Sequence, residues 1–545
     1  MTDAAGRVVV LHGLNVVAKG KPQQLADRGF GADDLDLFAR EGFNTVRLGI
    51  DYAAVEPQPG VYDEAFLERY AQTVALAGGK GVLTLVDLHQ DLYSEKYFAG
   101  NGMPAWMAID DGVPEDPNPG FPGGYFTSPA INRAYDNLWA NVPGPDGKRL
   151  QDHYAEGLRR VAARFAGEDR LVGYDIFNEP WPGSDWPTCA NPVGCPPGGF
   201  DQTELTAFSK RAVAGIRRAD TRHLAFYEPN LQFDVGAATG HGDVGDGRAG
   251  FSFHNYCLGA APGLPVIPDP TGIGCDTNEQ IVFDNAEAQS ERTGDALLLT
   301  EFGATDDTAA LEQYLEVSDR NMVGWHYWTY ANLLPNDVQA ESQSVIRDLS
   351  KPPTTENLKQ GHLDVMARAY PQVVAGTPRS WDFDRTTGRF DLRYSTTAPN
   401  GESPGSRTTE VFLPRRHYGE SYRVAVKGAE VASEVGAELL RLKTCPGAQE
   451  VSVTVRNQAP VRTATCVEAT RRASSRSDGD EEASSNPDDR RNIGAAGARA
   501  GADAGHGPLP FTGLAIGALA IAGLVLASTG LLLHRRGAAR PTSRR

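Results

Sequence analysis

Between residues 8 and 330 the chain alternates apolar, β-branched runs with stretches of helical hydrophobic spacing. The runs lie at 8–16, 44–50, 82–89, 171–178, 223–228, 251–256, 296–301 and 322–330. A strand that is apolar along its length has to be covered on both faces, which a parallel sheet flanked by helices provides. Eight such strands close around an interior filled by side chains, so the pattern predicts a (β/α)8 TIM barrel over residues 1–370. Near residue 371 the texture changes. Trp381, Phe383, Phe390, Leu392 and Tyr394 recur at close to period 2, and short runs follow around Val411, Tyr422 and Val451 with turn residues between them. This predicts a small C-terminal antiparallel β-sandwich over 371–469 beside an α/β barrel.

Residues 470–508 are dominated by Ser, Gly, Ala, Asp and Arg and contain no aromatic. They offer too little apolar surface to offset the entropy of ordering a backbone, so they read as a flexible spacer. The last segment, 509–545, begins Leu509-Pro510-Phe511-Thr512-Gly513, continues as an uncharged apolar run over 514–533, and ends in a tail with five arginines. That run is long enough to cross a bilayer as a helix, and the arginines would hold its end on the cytoplasmic side. The arrangement resembles the wall-sorting signal of Gram-positive surface proteins. The resemblance implies a sortase that cuts after Thr512 and joins the chain to cell-wall peptidoglycan. It also implies an extracellular location and a membrane helix present only before sorting. Residues 1–7 are polar and lead directly into Val8-Val9-Val10-Leu11, without the basic and apolar regions of a signal peptide. An exported protein needs one, so its start is expected upstream of residue 1.

Hydrophobic residues make up 40% and charged residues 22%, the balance of a soluble globular chain, and the formal charge of −18 argues against a nucleic-acid partner. The six cysteines fall into couples close in sequence, Cys189 with Cys195, Cys257 with Cys275 and Cys445 with Cys466, as short-loop disulfides of exported proteins do. Other pairings and buried thiols stay open. The spacings do not suit a zinc site.

Barrel enzymes carry their working residues at the C-terminal ends of the strands. Polar groups stand there in this chain: Arg47 on the second run, His89-Gln90-Asp91 on the third, Asn178-Glu179-Pro180 on the fourth, Glu228 on the fifth, His254-Asn255-Tyr256 on the sixth, Glu301 on the seventh and Trp328 on the eighth. Acids directly after Tyr174-Asp175-Ile176-Phe177 and Leu297-Leu298-Leu299-Thr300 are costly unless they face a polar cavity or a partner. Either alone suits a buried ion pair as well. Together in one mouth they suit glycoside hydrolysis, in which one carboxyl protonates the leaving oxygen and the other attacks the anomeric carbon. Glu301, near Arg47, is expected to be the charged nucleophile, and Glu179 the proton-bearing acid/base. No metal or other cofactor is called for.

Asn178-Glu179-Pro180 and Thr300-Glu301-Phe302-Gly303 resemble the clan of retaining glycosidases that includes family 5. Arg47, His89, Asn178, Glu179, His254, Tyr256, Glu301 and Trp328 fall in order on that family's invariant set. The resemblance implies that Asn178 holds the sugar 2-hydroxyl, that Tyr256 and Arg47 orient the nucleophile, and that Trp328 lies beneath the sugar ring. Within the family the likeness is to the endoglycoceramidases. It rests on residues 11–19, 43–49, 87–94 and 134–139, and covers most of residues 7–465. In that group the residues matching Lys19, His89 and Asp91 bind sugar hydroxyls, and the bond cleaved joins the glycan of a glycosphingolipid to ceramide.

The connection 97–150 is long and carries Met103, Trp106, Met107, Phe121, Tyr125, Phe126 and Trp139. It is read either as an apolar lip for a ceramide chain or as a lid packed on itself. Glu56, His241 and the run 234–246 suggest no chemistry, and a metal site there is a weaker reading than a solvated loop. Two rivals remain at this level: a β-glucanase or mannanase acting on soluble polysaccharide, and a glycan-binding surface adhesin.

Overall fold

The computed structural model describes residues 1–20, 24–190, 193–256, 275–332, 340–459 and Cys466. The eight barrel strands are β1 (His12–Val17), β2 (Thr45–Asp51), β3 (Leu83–His89), β4 (Leu171–Asp175), β5 (Leu224–Tyr227), β6 (Ala249–Asn255), β7 (Ala296–Phe302) and β8 (Trp325–Asn332). Each pairs in parallel with the next, and β8 closes on β1. Gly13 and Gly173 sit where the backbone of the neighbouring strand leaves no room for a side chain. A Cβ on either would stand 2.4 Å from the Thr45 carbonyl or 2.1 Å from the Leu224 carbonyl. Helices cover the outside through one apolar stripe each. In Glu64–Gly79 the Asp63 side chain caps the Phe66 amide at 2.8 Å, and Phe66, Leu67, Tyr70, Val74 and Ala77 are buried.

The C-terminal part is two antiparallel sheets. Its strands are β9 (Tyr370–Val374), β10 (Thr377–Asp384), β11 (Arg389–Ser395), β12 (Thr408–Phe412), β13 (Arg423–Lys427), β14 (Ala429–Val431), β15 (Leu439–Thr444) and β16 (Glu450–Arg456). One sheet runs β9-β12-β15-β14 and the other β10-β11-β16-β13. The period-2 residues Trp381, Phe383, Phe390, Leu392 and Tyr394 fill the space between them.

The first apolar run is divided between the two parts. Val8 and Val9 form a short strand antiparallel to β9, with Val8 opposite Val374, so they extend a sandwich sheet rather than begin the barrel. Val10 packs in the sandwich core, Leu11 packs beneath the barrel, and β1 starts at His12. The fourth strand stops at Asp175, short of the expected 178. Met322, read as the start of the eighth strand, instead ends a helix with φ 55°, and β8 begins three residues later.

Buried polar contacts join the two parts. The His12 ring stacks between Trp325 and Tyr370, with centroids 4.4 and 3.6 Å away. Asp319 accepts from Arg368 Nη2 at 2.7 Å and from Trp381 Nε1 at 2.8 Å.

Disulfides link Cys189 to Cys195 and Cys445 to Cys466. The third expected couple involves Cys257, outside the described residues. Among the described residues no helix is long and apolar enough to cross a membrane. The expected spacer 470–508, the motif with Thr512 and the span 514–533 lie outside them.

Candidate active site

Arg47 enters the barrel from β2 and is completely buried. Burying a guanidinium demands compensating charge, and Arg47 spreads its donors over four carboxylates. Nε donates to Asp175 Oδ2 at 3.0 Å, and Nη1 to Glu301 Oε1 at 2.6 Å. Nη2 lies 3.0 Å from Asp87 Oδ1 and 3.2 Å from Glu228 Oε1, and also donates to Asn178 Oδ1 at 2.8 Å. Asn15, on β1, accepts from Nη1 at 3.1 Å. The other oxygen of Glu301, Oε2, accepts from the Tyr256 hydroxyl at 2.9 Å. Burial and the nearby Glu301 charge push the Tyr256 phenol well above its ordinary value, so it stays a donor.

Glu179 faces this assembly from the loop after β4. Its backbone has φ 45°, the left-handed region that costs a residue with a Cβ on the order of 1–2 kcal/mol. Its amide donates to Glu228 Oε2 at 2.7 Å, which ties that turn to the end of β5. The carboxyl Oε1 lies 2.9 Å from His254 Nδ1. Burial raises the Glu179 carboxyl above the ordinary range; the bond to His254 and its positive charge only partly offset this, and the charges of Glu301 and Asp91 add to the rise. Burial works against a charged imidazolium at His254, but Glu228 and Glu301 outweigh it and hold that ring well above its ordinary value. Glu179, His254 and Glu301 each contribute an atom to a group whose members all lie within 4.8 Å of one another. Such a group has the spacing of a cation site. Here, however, its atoms are engaged, with Nδ1 on Glu179 and the two Glu301 oxygens on Arg47 and Tyr256.

On the other side of the mouth Lys19 Nζ is 2.6 Å from Asp91 Oδ2 and 4.4 Å from the centre of the Trp328 ring. Trp328 stacks on His89 at 5.4 Å with an interplanar angle of 11°. His89 Nδ1 lies 2.8 Å from Asp87 Oδ2, and its Nε2 is 3.5 Å from Asp91. Burial would lower the His89 value, but Asp87 outweighs it and lifts the ring to about 9. All ten residues expected at the mouth, Lys19, Arg47, His89, Asp91, Asn178, Glu179, His254, Tyr256, Glu301 and Trp328, are thus linked through these contacts.

Several members of the network were not anticipated. Asp87 and Asp175 bridge Arg47 to His89 and to Ser252, and both were visible only as acids embedded in apolar runs. Glu228 stands out in the sequence only as a strand end, and its grip on the Glu179 amide exists only in the fold. Asp234 is buried 3.8 Å from His254 Nδ1, and burial pushes its carboxyl well above the ordinary range. Glu56 and His241 are buried elsewhere, Glu56 with Tyr52 and His153, and His241 with Ser209 and Tyr227. The long connection packs largely on its surroundings, with Tyr125 and Phe126 against Trp181 and Trp139 against Phe177, Phe200 and Phe208. Met103, Met107, Tyr125 and Trp139 are buried and Trp106 and Phe126 half-buried, which leaves Phe121 as the exposed one of the seven.

Comparison with known proteins agrees with this geometry. The family model described as cellulase (glycosyl hydrolase family 5) matches residues 3–333, and the glycoside hydrolase family 5 C-terminal domain matches residues 368–455. Endoglycoceramidase I of Rhodococcus hoagii (strain 103S) is 33% identical over 453 residues, spanning 81% of this chain and 83% of that one. Endoglycoceramidase of Hydra vulgaris is 27% identical, over 78% and 81% of the two chains. Among solved structures, the lactosyl-enzyme intermediate of endo-glycoceramidase II from Rhodococcus sp. superposes with a TM-score of 0.69 at 27% identity, covering 84% of this chain and 99% of that one. The ganglioside GM3 complex of endo-glycoceramidase II from Rhodococcus sp. gives a TM-score of 0.66 at 26% identity, with 84% and 99% covered. The chain is a member of glycosyl hydrolase family 5, of the endoglycoceramidase-like kind.

Proposed function

We propose that this protein is a retaining endoglycosidase that hydrolyses the β-glycosidic bond between the glycan and the ceramide of glycosphingolipids. The observation that carries the reading is the approach of Glu179 and Glu301 within the 4.8 Å group. Retaining enzymes hold their carboxyls about 5 Å apart, whereas inverting enzymes need about 6.5–9.5 Å to admit a water. Glu301 attacks the anomeric carbon as Glu179 gives its proton to the departing ceramide oxygen, which leaves a glycosyl ester on Glu301. Glu179, now a carboxylate, takes a proton from water as that water attacks the same carbon. The sugar leaves with its original β configuration, and both carboxyls return to their starting states.

Arg47 and Tyr256 occupy one oxygen of Glu301 each and fix the carboxylate for attack. Asn178, with its oxygen on Arg47 and one amide hydrogen on the Gln90 carbonyl at 3.1 Å, keeps its second amide hydrogen for the sugar 2-hydroxyl. Trp328 offers an apolar face beneath the ring, and Lys19, His89 and Asp91 supply donors and acceptors for further hydroxyls. His254 tunes Glu179. The ceramide specificity is supported by the relatives named endoglycoceramidase and by the related enzyme solved with ganglioside GM3.

For the chain as a whole, we infer that Leu509-Pro510-Phe511-Thr512-Gly513 is a sortase substrate and that the mature protein is held extracellularly on Gram-positive peptidoglycan. Mass spectrometry of wall-released protein tests this, with a C-terminus at Thr512 expected and a chain still carrying 514–533 contradicting it.

The catalytic reading is tested with glucosyl-, galactosyl- and lactosylceramide in detergent. Ceramide release from at least one of them by the parent protein, abolished in Glu301→Gln, is expected. Cleavage of a soluble β-glucan or mannan without ceramide release would favour the polysaccharidase. Glycan binding without any hydrolysis would favour the adhesin.

A further inference from the structure

Phe98 and Phe121 are the two exposed aromatic side chains among the described residues, 66% and 46% accessible, and both belong to the connection after β3. They are neighbours. A Cβ on Gly120 would stand 3.4 Å from Phe98 Cε1, so that ring lies along the backbone leading into Phe121. The segment is held firmly. The Phe98 amide donates to Glu115 Oε1 at 2.6 Å, Asn118 Nδ2 to the Phe98 carbonyl at 3.2 Å, and the Gly120 amide to Asn118 Oδ1 at 2.9 Å. Tyr125, itself buried, meets Phe121 edge-on at 6.1 Å.

The position of this ledge gives it meaning. Lys19 Nζ stands 4.4 Å from the Trp328 ring and 5.8 Å from the Phe121 ring, so one lysine reaches both. Trp328 and Lys19 belong to the mouth described above, and Glu301 and Glu179 are both close enough to Lys19 to raise its value, even though burial works the other way and Asp91 contributes most of the rise. Phe121 thus stands beside the mouth, within reach of the lysine that pairs with Asp91. An exposed aromatic face costs solvation without return unless something covers it, and the apolar C–H face of a pyranose does so.

We infer that Phe121, flanked by Phe98, is a distal sugar subsite. In this assignment one sugar lies over Trp328, a second meets Lys19 and Asp91, and a third stacks on Phe121, so the enzyme favours glycans longer than a disaccharide. The inference rests on the endoglycosidase reading for the direction in which the glycan runs. The pre-set ledge lowers the ordering cost of binding.

The test compares Phe121→Ala and Phe121→Trp with the parent on aryl β-glycosides of one, two and three sugars. Phe121→Ala is expected to lower kcat/KM about five- to tenfold on the three-sugar substrate, leave the shorter two within about twofold, and be rescued by Phe121→Trp. In parallel, calorimetry on Glu301→Gln is expected to show tighter binding of a free trisaccharide than of the matching disaccharide, an advantage lost when Phe121→Ala is added. This arm reads the subsite even if no ceramide is ever released, so failure of the lipid reading and failure of the subsite are distinguishable. A loss equal at every glycan length, or no loss, would overturn the assignment. So would a loss confined to vesicle-borne substrates of every head group together with weaker sedimentation on phosphatidylcholine vesicles, which would make the ledge a lipid contact.

Discussion

Nδ1 of His254 lies 2.9 Å from Oε1 of Glu179 and 3.6 Å from Oε2 of Glu301, so one ring links the two carboxyls expected to do the chemistry. The ring is held charged by Glu228 and Glu301, while burial keeps a proton on Glu179 above the ordinary carboxylate range of about 4.3.

The pH profile follows from that arrangement. Glu179 is the acid of the free enzyme, so kcat/KM falls as pH rises through its raised value and protonated enzyme is lost. Glu179→Gln removes this alkaline limb and lowers kcat/KM on glycolipids by about 10²–10⁴-fold. An aryl glycoside with an acidic phenol departs without a proton and loses far less. Rate profiles on both substrates check this; equal losses on the two would speak against an acid role.

Tyr256 and Arg47 divide the oxygens of Glu301 between them, at 2.9 and 2.6 Å. Tyr256→Phe removes one hydrogen bond to a charged group, worth about 1.5–3 kcal/mol, which corresponds to a drop in kcat of roughly 10–150-fold. Steady-state kinetics with folding checked by circular dichroism measures it, and an unchanged kcat would place Tyr256 outside the nucleophile's support.

Asp234 is a buried carboxyl whose pKa is raised in the folded state. The native protein keeps a proton that the unfolded chain releases above about pH 4, so this group's contribution to stability is full below that pH and declines as pH rises through the folded value. Asp234→Asn removes the decline. Its melting temperature should exceed the parent's at pH 7, by on the order of 2 °C, and show less difference at pH 4. A variant less stable at pH 7 would indicate that the charged form is held favourably.

Asp319 binds Arg368 and the Trp381 indole at the junction of barrel and sandwich. Asp319→Ala removes the nearer carboxylate of the buried Arg368 guanidinium, leaving Glu312 at 3.6 Å, and should cost up to about 3–5 kcal/mol. Denaturant unfolding followed by tryptophan fluorescence measures it, and a loss below about 1 kcal/mol would show that the junction does not depend on this contact.

The barrel was legible because strands buried on both faces leave long apolar runs, and the run lengths counted them. The first run misled because Val8 to Leu11 is equally apolar while serving two cores, and no turn residue marks the crossing to β1. The mouth was legible because polar residues stand out at strand ends. The support beneath it was not. Asp87, Asp175, Glu228 and Asp234 matter through partners 20 to 181 residues away in sequence, and such pairing exists only once the barrel has closed. An acid inside an apolar run, as at Asp87 and Asp175, was the one local sign.

The most direct test of the account is the configuration of the first product. Nuclear magnetic resonance follows hydrolysis of lactosylceramide, or of an aryl β-lactoside, in the first minutes before the free sugar mutarotates. The two-carboxylate double displacement predicts β-lactose first, with Glu301→Gln inactive and a glycosyl adduct on the peptide containing Glu301 when a slowly released fluoro-sugar is used. α-Lactose first, or an adduct on another residue, would contradict it.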